Sequence, residues 1–117
     1  MRPQFTPESA HDWRDWLEEN YGRCDEIWLV FYKKHTGKAA ISYEEAVEEA
    51  LCFGWIDSVK RRLDDERYAF RFTPRKPSSK WSPSNIRRVE KLIAEGRMTP
   101  AGLEPVERAK AEGAWMS

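Results

Sequence analysis

The residues of this chain that could do chemistry gather in its middle. Trp55, Asp57, Arg71, Arg75, Ser79, Lys80, Trp81, Ser82 and Asn85 all fall between positions 55 and 85. Arg75, Lys80, Ser79 and Ser82 can donate hydrogen bonds to an oxyanion. Trp55 and Trp81 offer flat faces for stacking, with core packing as the competing role for Trp81. Asp57 stands between Trp55 and Val59 in an alternating stretch, which predicts a carboxylate on an apolar face. Such a group needs a proton or a partner. Arg71 and Arg75 are the expected partners, and together they would shape a polar pocket for an anionic or carbonyl-bearing ligand. A second reading makes Asp57 the base of a hydrolase or transferase, with Arg75 steadying an oxyanion. No set of nucleophile, base and orienting group accompanies it, and Cys52, between Leu51 and Phe53, reads as inert core.

Two elements must position these residues. SYEEAVEEALCFG, Ser42 to Gly54, predicts one helix: Ser42 and Glu45 form a capping box, and Gly54 ends the run. Tyr43, Ala46, Val47, Ala50 and Leu51 make its apolar stripe. Glu44, Glu45, Glu48 and Glu49 read as a solvated acidic face, with Glu45 or Glu49 reaching the following basic arm as the alternative. Trp55–Arg62 and Arg67–Pro74 alternate like strands around a Leu63–Glu66 turn. Pairing Arg62 with Arg67 would put Trp55, Asp57, Val59 and Arg61 on one face with Tyr68, Phe70, Phe72 and Pro74. A slip of one residue would exchange a strand's faces. The arm from Arg75 to Ser82 then reads as a cationic, hydroxyl-rich surface loop, with Ser82 and Pro83 starting a helix.

The flanks supply the frame. Thr6-Pro7-Glu8 predicts a helix start, and Ala10, Trp13, Trp16 and Leu17 its buried stripe. Glu26–Lys33 is a strand apolar on both faces, which predicts a central strand covered on both sides. The turn Lys33–Lys38 lacks the spacing of a phosphate loop. Ile86, Val89, Leu92 and Ile93 stripe the next helix, with Arg87, Arg88 and Lys91 facing outward. Thr99-Pro100 opens a last helix, interrupted or restarted at Pro105. The fold class expected is α+β, a small antiparallel sheet of about three strands packed by about four helices in one domain over 1–117.

Composition narrows the function. Net charge is zero, but residues 1–59 hold 6 Lys/Arg and 12 Asp/Glu (−6), residues 60–91 hold 11 and 4 (+7), and residues 92–117 hold 3 and 4 (−1). The basic middle points to an anionic partner or to an internal match with the acidic helix faces. The zero total disfavours a nucleic-acid binder, with the basic hairpin and loop keeping that class as an alternative. No apolar run reaches membrane-spanning length, so no membrane insertion is expected. The first residues, MRPQFTPESAHDW, have no signal-peptide core, which predicts a cytoplasmic protein whose Cys24 and Cys52 are reduced thiols. With two cysteines, two histidines and no ligand spacing, neither a metal nor a cofactor is expected. Oligomeric state is not encoded in any pattern read here.

The segments VEEALCFGWIDS, YAFRFTPRKPSSKWSPSN and GRMTPAGL, in that order and spacing, resemble the YdeI/OmpD-associated family of small bacterial proteins. The resemblance spans Trp13 to Trp115 and rests on Trp28, Glu49, Cys52, Gly54, Trp55, Asp57, Arg71, Pro74, Arg75, Ser79, Trp81, Ser82 and Asn85. It implies a part in bacteriocin protection or envelope-stress tolerance and brings with it no reaction or cofactor.

Overall fold

The computed structural model describes residues 3–77 and 79–115. The chain runs β1 (Gln4–Phe5), α1 (Ala10–Asn20), β2 (Ile27–Tyr32), a short 3-10 turn (Lys34–Thr36), α2 (Tyr43–Cys52), β3 (Trp55–Arg62), β4 (Arg67–Pro74), α3 (Pro83–Ala94) and α4 (Pro100–Ala111). The class is α+β. The sheet has four strands in the order β1-β2-β4-β3. It is mixed, where an antiparallel sheet of three was expected, because Gln4 and Phe5 pair in parallel with Trp28 and Leu29.

Helix starts follow their capping chemistry. Ser42 accepts from the Glu45 N–H while Glu45 reaches back to the Ser42 N–H, a complete capping box. Ser82 and Thr99 cap α3 and α4, each with proline just inside the helix. The first helix corrects the sequence reading. Its cap is Ser9, whose hydroxyl accepts from the Asp12 N–H at 3.0 Å, so Thr6-Pro7 lies in the preceding loop. Pro105 sits inside an unbroken α4. It has no N–H for the Ala101 carbonyl, and that carbonyl abuts Gly54, where an added Cβ would lie 2.8 Å from the oxygen.

The core lies between the helices and one sheet face. Trp13, Leu17, Leu29, Phe31, Val47, Leu51, Trp55, Phe72, Val89, Leu92 and Val106 form one buried cluster. Both fully buried tryptophans keep their indole N–H satisfied, Trp13 on the Ala46 carbonyl at 3.0 Å and Trp55 on the Tyr21 carbonyl at 3.2 Å. The opposite face holds a smaller cluster, Trp28, Val30 and Ala69 with Leu63 beside it. None of these residues lies on a helix, so β2 is not covered by helices on both sides as expected. Arg61 lies over the Trp28 ring instead, 5.1 Å being matched on the other face by Arg14 over Phe53 and 5.4 Å separating Arg61 from the Trp28 centroid.

α2 is the hub and touches α1, α3, α4 and β3. Seven of its ten residues are buried, including Glu48 and Glu49. The acidic face is therefore no solvated surface. Lys91 donates to Glu48 at 2.7 Å, Arg14 to Glu49 at 2.9 Å, and Arg97 reaches both carboxylates. Arg88 grips Glu44 with two nitrogens, at 2.7 and 2.9 Å. Neither Glu45, held in the capping box, nor Glu49 reaches the 75–82 arm. Much of the charge split along the sequence is thus an internal match, and Arg88 and Lys91 face α2 where an outward course was expected.

The hairpin keeps the expected register only at its base. Trp55↔Pro74, Ile56↔Thr73 and Asp57↔Phe72 pair as read from the sequence. A bulge between Asp57 and Lys60 then shifts the ladder by one, giving Lys60↔Phe70, Arg61↔Ala69 and Arg62↔Tyr68. Val59 is turned out and exposed, and Arg61 moves to the Trp28 face. Lys60 takes the place beside the aromatics, its ammonium 4.8 Å from the Tyr68 ring.

Candidate binding site

Gly54 ends α2 with φ +76°, a conformation only glycine adopts without strain. The chain can then turn into β3 while α4 presses against the junction. The Thr99 N–H and hydroxyl both donate to the Cys52 carbonyl. At the other end of the hairpin, the Arg75 N–H donates to the Gly54 carbonyl at 2.9 Å. The helix end, the hairpin base and α4 thereby enclose a cleft of about 250 Å³.

Phe53, Trp55, Pro74, Pro77 and Pro105 give this cleft apolar walls, and Arg75, Lys76, Glu104, Arg108 and Glu112 give it charge. Arg75 lies 3.7 Å from the centroid of the Trp81 ring, a close cation–π contact. One of its terminal nitrogens donates to the Lys80 carbonyl at 3.1 Å. Trp81 is braced from its other neighbour, Trp115, whose ring meets it edge-on at 5.0 Å. Burial pulls the Arg75 pKa below its ordinary value, because no carboxylate among the described residues lies within ion-pairing distance of it. The other described arginines without an ion pair, Arg23, Arg61 and Arg87, are exposed. Arg108, across the cleft, is paired with Glu104.

Of the residues singled out in the sequence, Trp55, Arg75, Ser79 and Trp81 line this cleft. Lys80 contributes its carbonyl and leaves its side chain exposed. Ser82 caps α3, accepting from the Asn85 N–H at 3.2 Å, and the Asn85 side chain accepts from Arg88 at 2.8 Å. Both therefore brace the helix start. Ser78, part of the loop as read from the sequence, lies outside the described residues.

The pairing expected for Asp57 is overturned. Arg71 points to the opposite face and is ion-paired with Glu26, and Arg75 is held on Trp81. The Asp57 carboxylate accepts instead from the Tyr43 hydroxyl at 2.8 Å. It is half-buried. Desolvation first, and this bond second, push the Tyr43 pKa up to about 12. Cys52 is fully buried and its pKa is raised by desolvation, with the Arg14 guanidinium pulling the other way. An un-ionised buried thiol fits the inert role.

A family model for a domain of unknown function (DUF8412) matches residues 5–105. The chain belongs to that family. The matched region carries Gly54, Trp55, Arg75, Trp81 and the first half of α4, and hence the base of the cleft. No curated protein and no solved structure matches the chain. Among the described residues no helix is long and apolar enough to cross a membrane, and no group of three or more His, Cys, Asp and Glu is arranged to hold a metal ion.

The α4 wall is what the sequence reading missed. Arg108, Glu104, Pro105 and Glu112 lie far from the arm in sequence. One signal was available: Gly102, a glycine inside a helix directly after Thr99-Pro100, marks a close backbone approach.

Proposed function

We propose that this protein is a binding module for a small anionic ligand, seated in the cleft between the hairpin base and α4. The observation that carries the reading is Arg75, a half-buried guanidinium stacked on Trp81 with no acid among the described residues to neutralise it. A buried cation without a partner costs stability, so its retention in a cleft favours a role in recognition. The internal matching of Arg88, Lys91 and Arg71 supports a small ligand over a nucleic acid, since few of the cations in the basic segment are left for phosphates. The resemblance read in the sequence adds a setting, bacteriocin or envelope-stress tolerance, which growth of a deletion strain under peptide challenge would examine.

The test is thermal unfolding of wild type and Arg75→Met with increasing acetate, benzoate or phosphate at constant ionic strength. Methionine keeps a flexible apolar stem over Trp81 and removes the charge. The reading expects at least one anion to raise the wild-type melting temperature saturably and to leave the variant unmoved. Equal responses in both proteins would remove Arg75 from any binding role.

A further inference from the structure

The cleft restricts its ligand by charge, shape and size together. Its walls carry three cations, Arg75, Lys76 and Arg108, against two carboxylates, Glu104 and Glu112. The balance is +1, and Arg108 is already committed to Glu104. One negative charge is matched by that wall; a phosphate dianion would meet two carboxylates with a single unpaired guanidinium to offset them. The guanidinium has one face on the Trp81 indole, so it presents its edge, the geometry that pairs side-on with a planar carboxylate. The remaining surface is flat and apolar, made by Phe53, Trp55 and the prolines. A volume of about 250 Å³ is the share of roughly eight liquid waters. That admits one ring with a short acid arm and is too small for a nucleotide.

We infer that the cleft takes an aromatic monocarboxylate, its carboxylate on the Arg75 edge and its ring against Trp55 and Phe53. The inference rests on the anion-binding reading of the same cleft and narrows it to one chemical class.

Titration calorimetry with the full chain tests it, using benzoate and phenylacetate as probes beside cyclohexanecarboxylate, inorganic phosphate and adenosine monophosphate. For a ligand this small we expect a Kd on the order of 0.1–1 mM for an aromatic acid. Cyclohexanecarboxylate and phosphate should bind at least about tenfold more weakly, and Arg75→Met should weaken benzoate by about tenfold or more. Arg75→Lys, which keeps the charge and loses the planar fork, should lie between. The double variant Glu104→Gln/Glu112→Gln should gain phosphate binding. If phosphate or the nucleotide binds as well as benzoate and depends on Arg75, the ligand class is wrong and the anion site stands. If cyclohexanecarboxylate matches benzoate, the aromatic requirement is wrong. If no probe binds in an Arg75-dependent way, the class and the anion-binding reading fall together.

Discussion

Replacing Gly102 by alanine sets two effects of opposite sign against each other. Gly102 lies in the first turn of α4, where alanine is the better helix former by about 1 kcal/mol. Propensity alone therefore predicts a stabilised protein. The packing predicts the reverse. A Cβ at this position would sit 2.3 Å from the Cys52 carbonyl oxygen, 2.6 Å from its carbon and 2.7 Å from the Leu51 oxygen, where ordinary contact begins at 3.4 Å. These are backbone atoms at the end of α2, so no side chain can swing aside, and one helix must move by about 1 Å. That movement pulls Thr99 from the Cys52 carbonyl, which takes both the Thr99 N–H and its hydroxyl. Overpacking costs about 1–3 kcal/mol and two weakened hydrogen bonds about 1 kcal/mol each, so the net loss is about 2–4 kcal/mol. At about 4 °C per kcal/mol, the melting temperature should fall by about 8–16 °C. Gly22→Ala, with nothing within 4 Å and no positive φ, should change stability by less than about 0.5 kcal/mol. Gly96→Ala, in open space at φ +70°, should lose only the left-handed backbone cost of about 1 kcal/mol. Thermal and urea unfolding of the three variants would establish the order. A Gly102→Ala protein that melts at or above the wild-type temperature would refute the close α2–α4 approach that builds the cleft.

Two further outcomes follow from the charged clusters. Glu49→Gln leaves Arg14 and Arg97 without a carboxylate they share, and with side chains only 27% and 31% exposed the loss should be about 2–3 kcal/mol in urea unfolding. Lys91→Met, whose side chain is 53% exposed, should change the urea midpoint little. The Tyr43 hydroxyl ionises in the folded state only near pH 12, against an ordinary value of 10.0. A raised folded pKa means that its contribution is complete below pH 10, falls as the unfolded chain ionises first, and is gone above about 12. Phenolate absorbance should show one tyrosine that titrates earlier in Asp57→Asn, and Tyr43→Phe should flatten the alkaline loss of stability. An unchanged titration in Asp57→Asn would contradict the Tyr43–Asp57 bond.

Local chemistry made much of the fold legible. The capping boxes and prolines of α2, α3 and α4, the bounds of both hairpin strands, and the glycine that ends α2 follow from residue types a few positions apart. What could not be read depends on distant partners. Nothing in SVKRR marks the bulge that sends Val59 outward and Lys60 inward, since neither glycine nor proline is present. Glu48 and Glu49 looked solvated because the cations that neutralise them, Arg14, Lys91 and Arg97, are dispersed along the chain. Asp57 was rightly seen as a carboxylate needing a partner, but the partner is a tyrosine that had been counted with the apolar stripe of α2. The candidate site was half legible for the same reason. Gly54, Arg75 and Trp81 belong to neighbouring segments, whereas the α4 wall reaches them only through the packing at Gly102.

The central claim is that Arg75 and its aromatic neighbours form a binding cleft, and nitrogen–proton correlation spectra of the tryptophan indoles during a benzoate titration test it most directly. Trp55 and Trp81 line the cleft, while Trp13 and Trp28 are buried elsewhere. The account predicts saturable shifts of the Trp81 and Trp55 signals, still Trp13 and Trp28 signals, and no response in Arg75→Met. Indole signals that stay fixed in the wild type, or that move alike at all four positions, would contradict it.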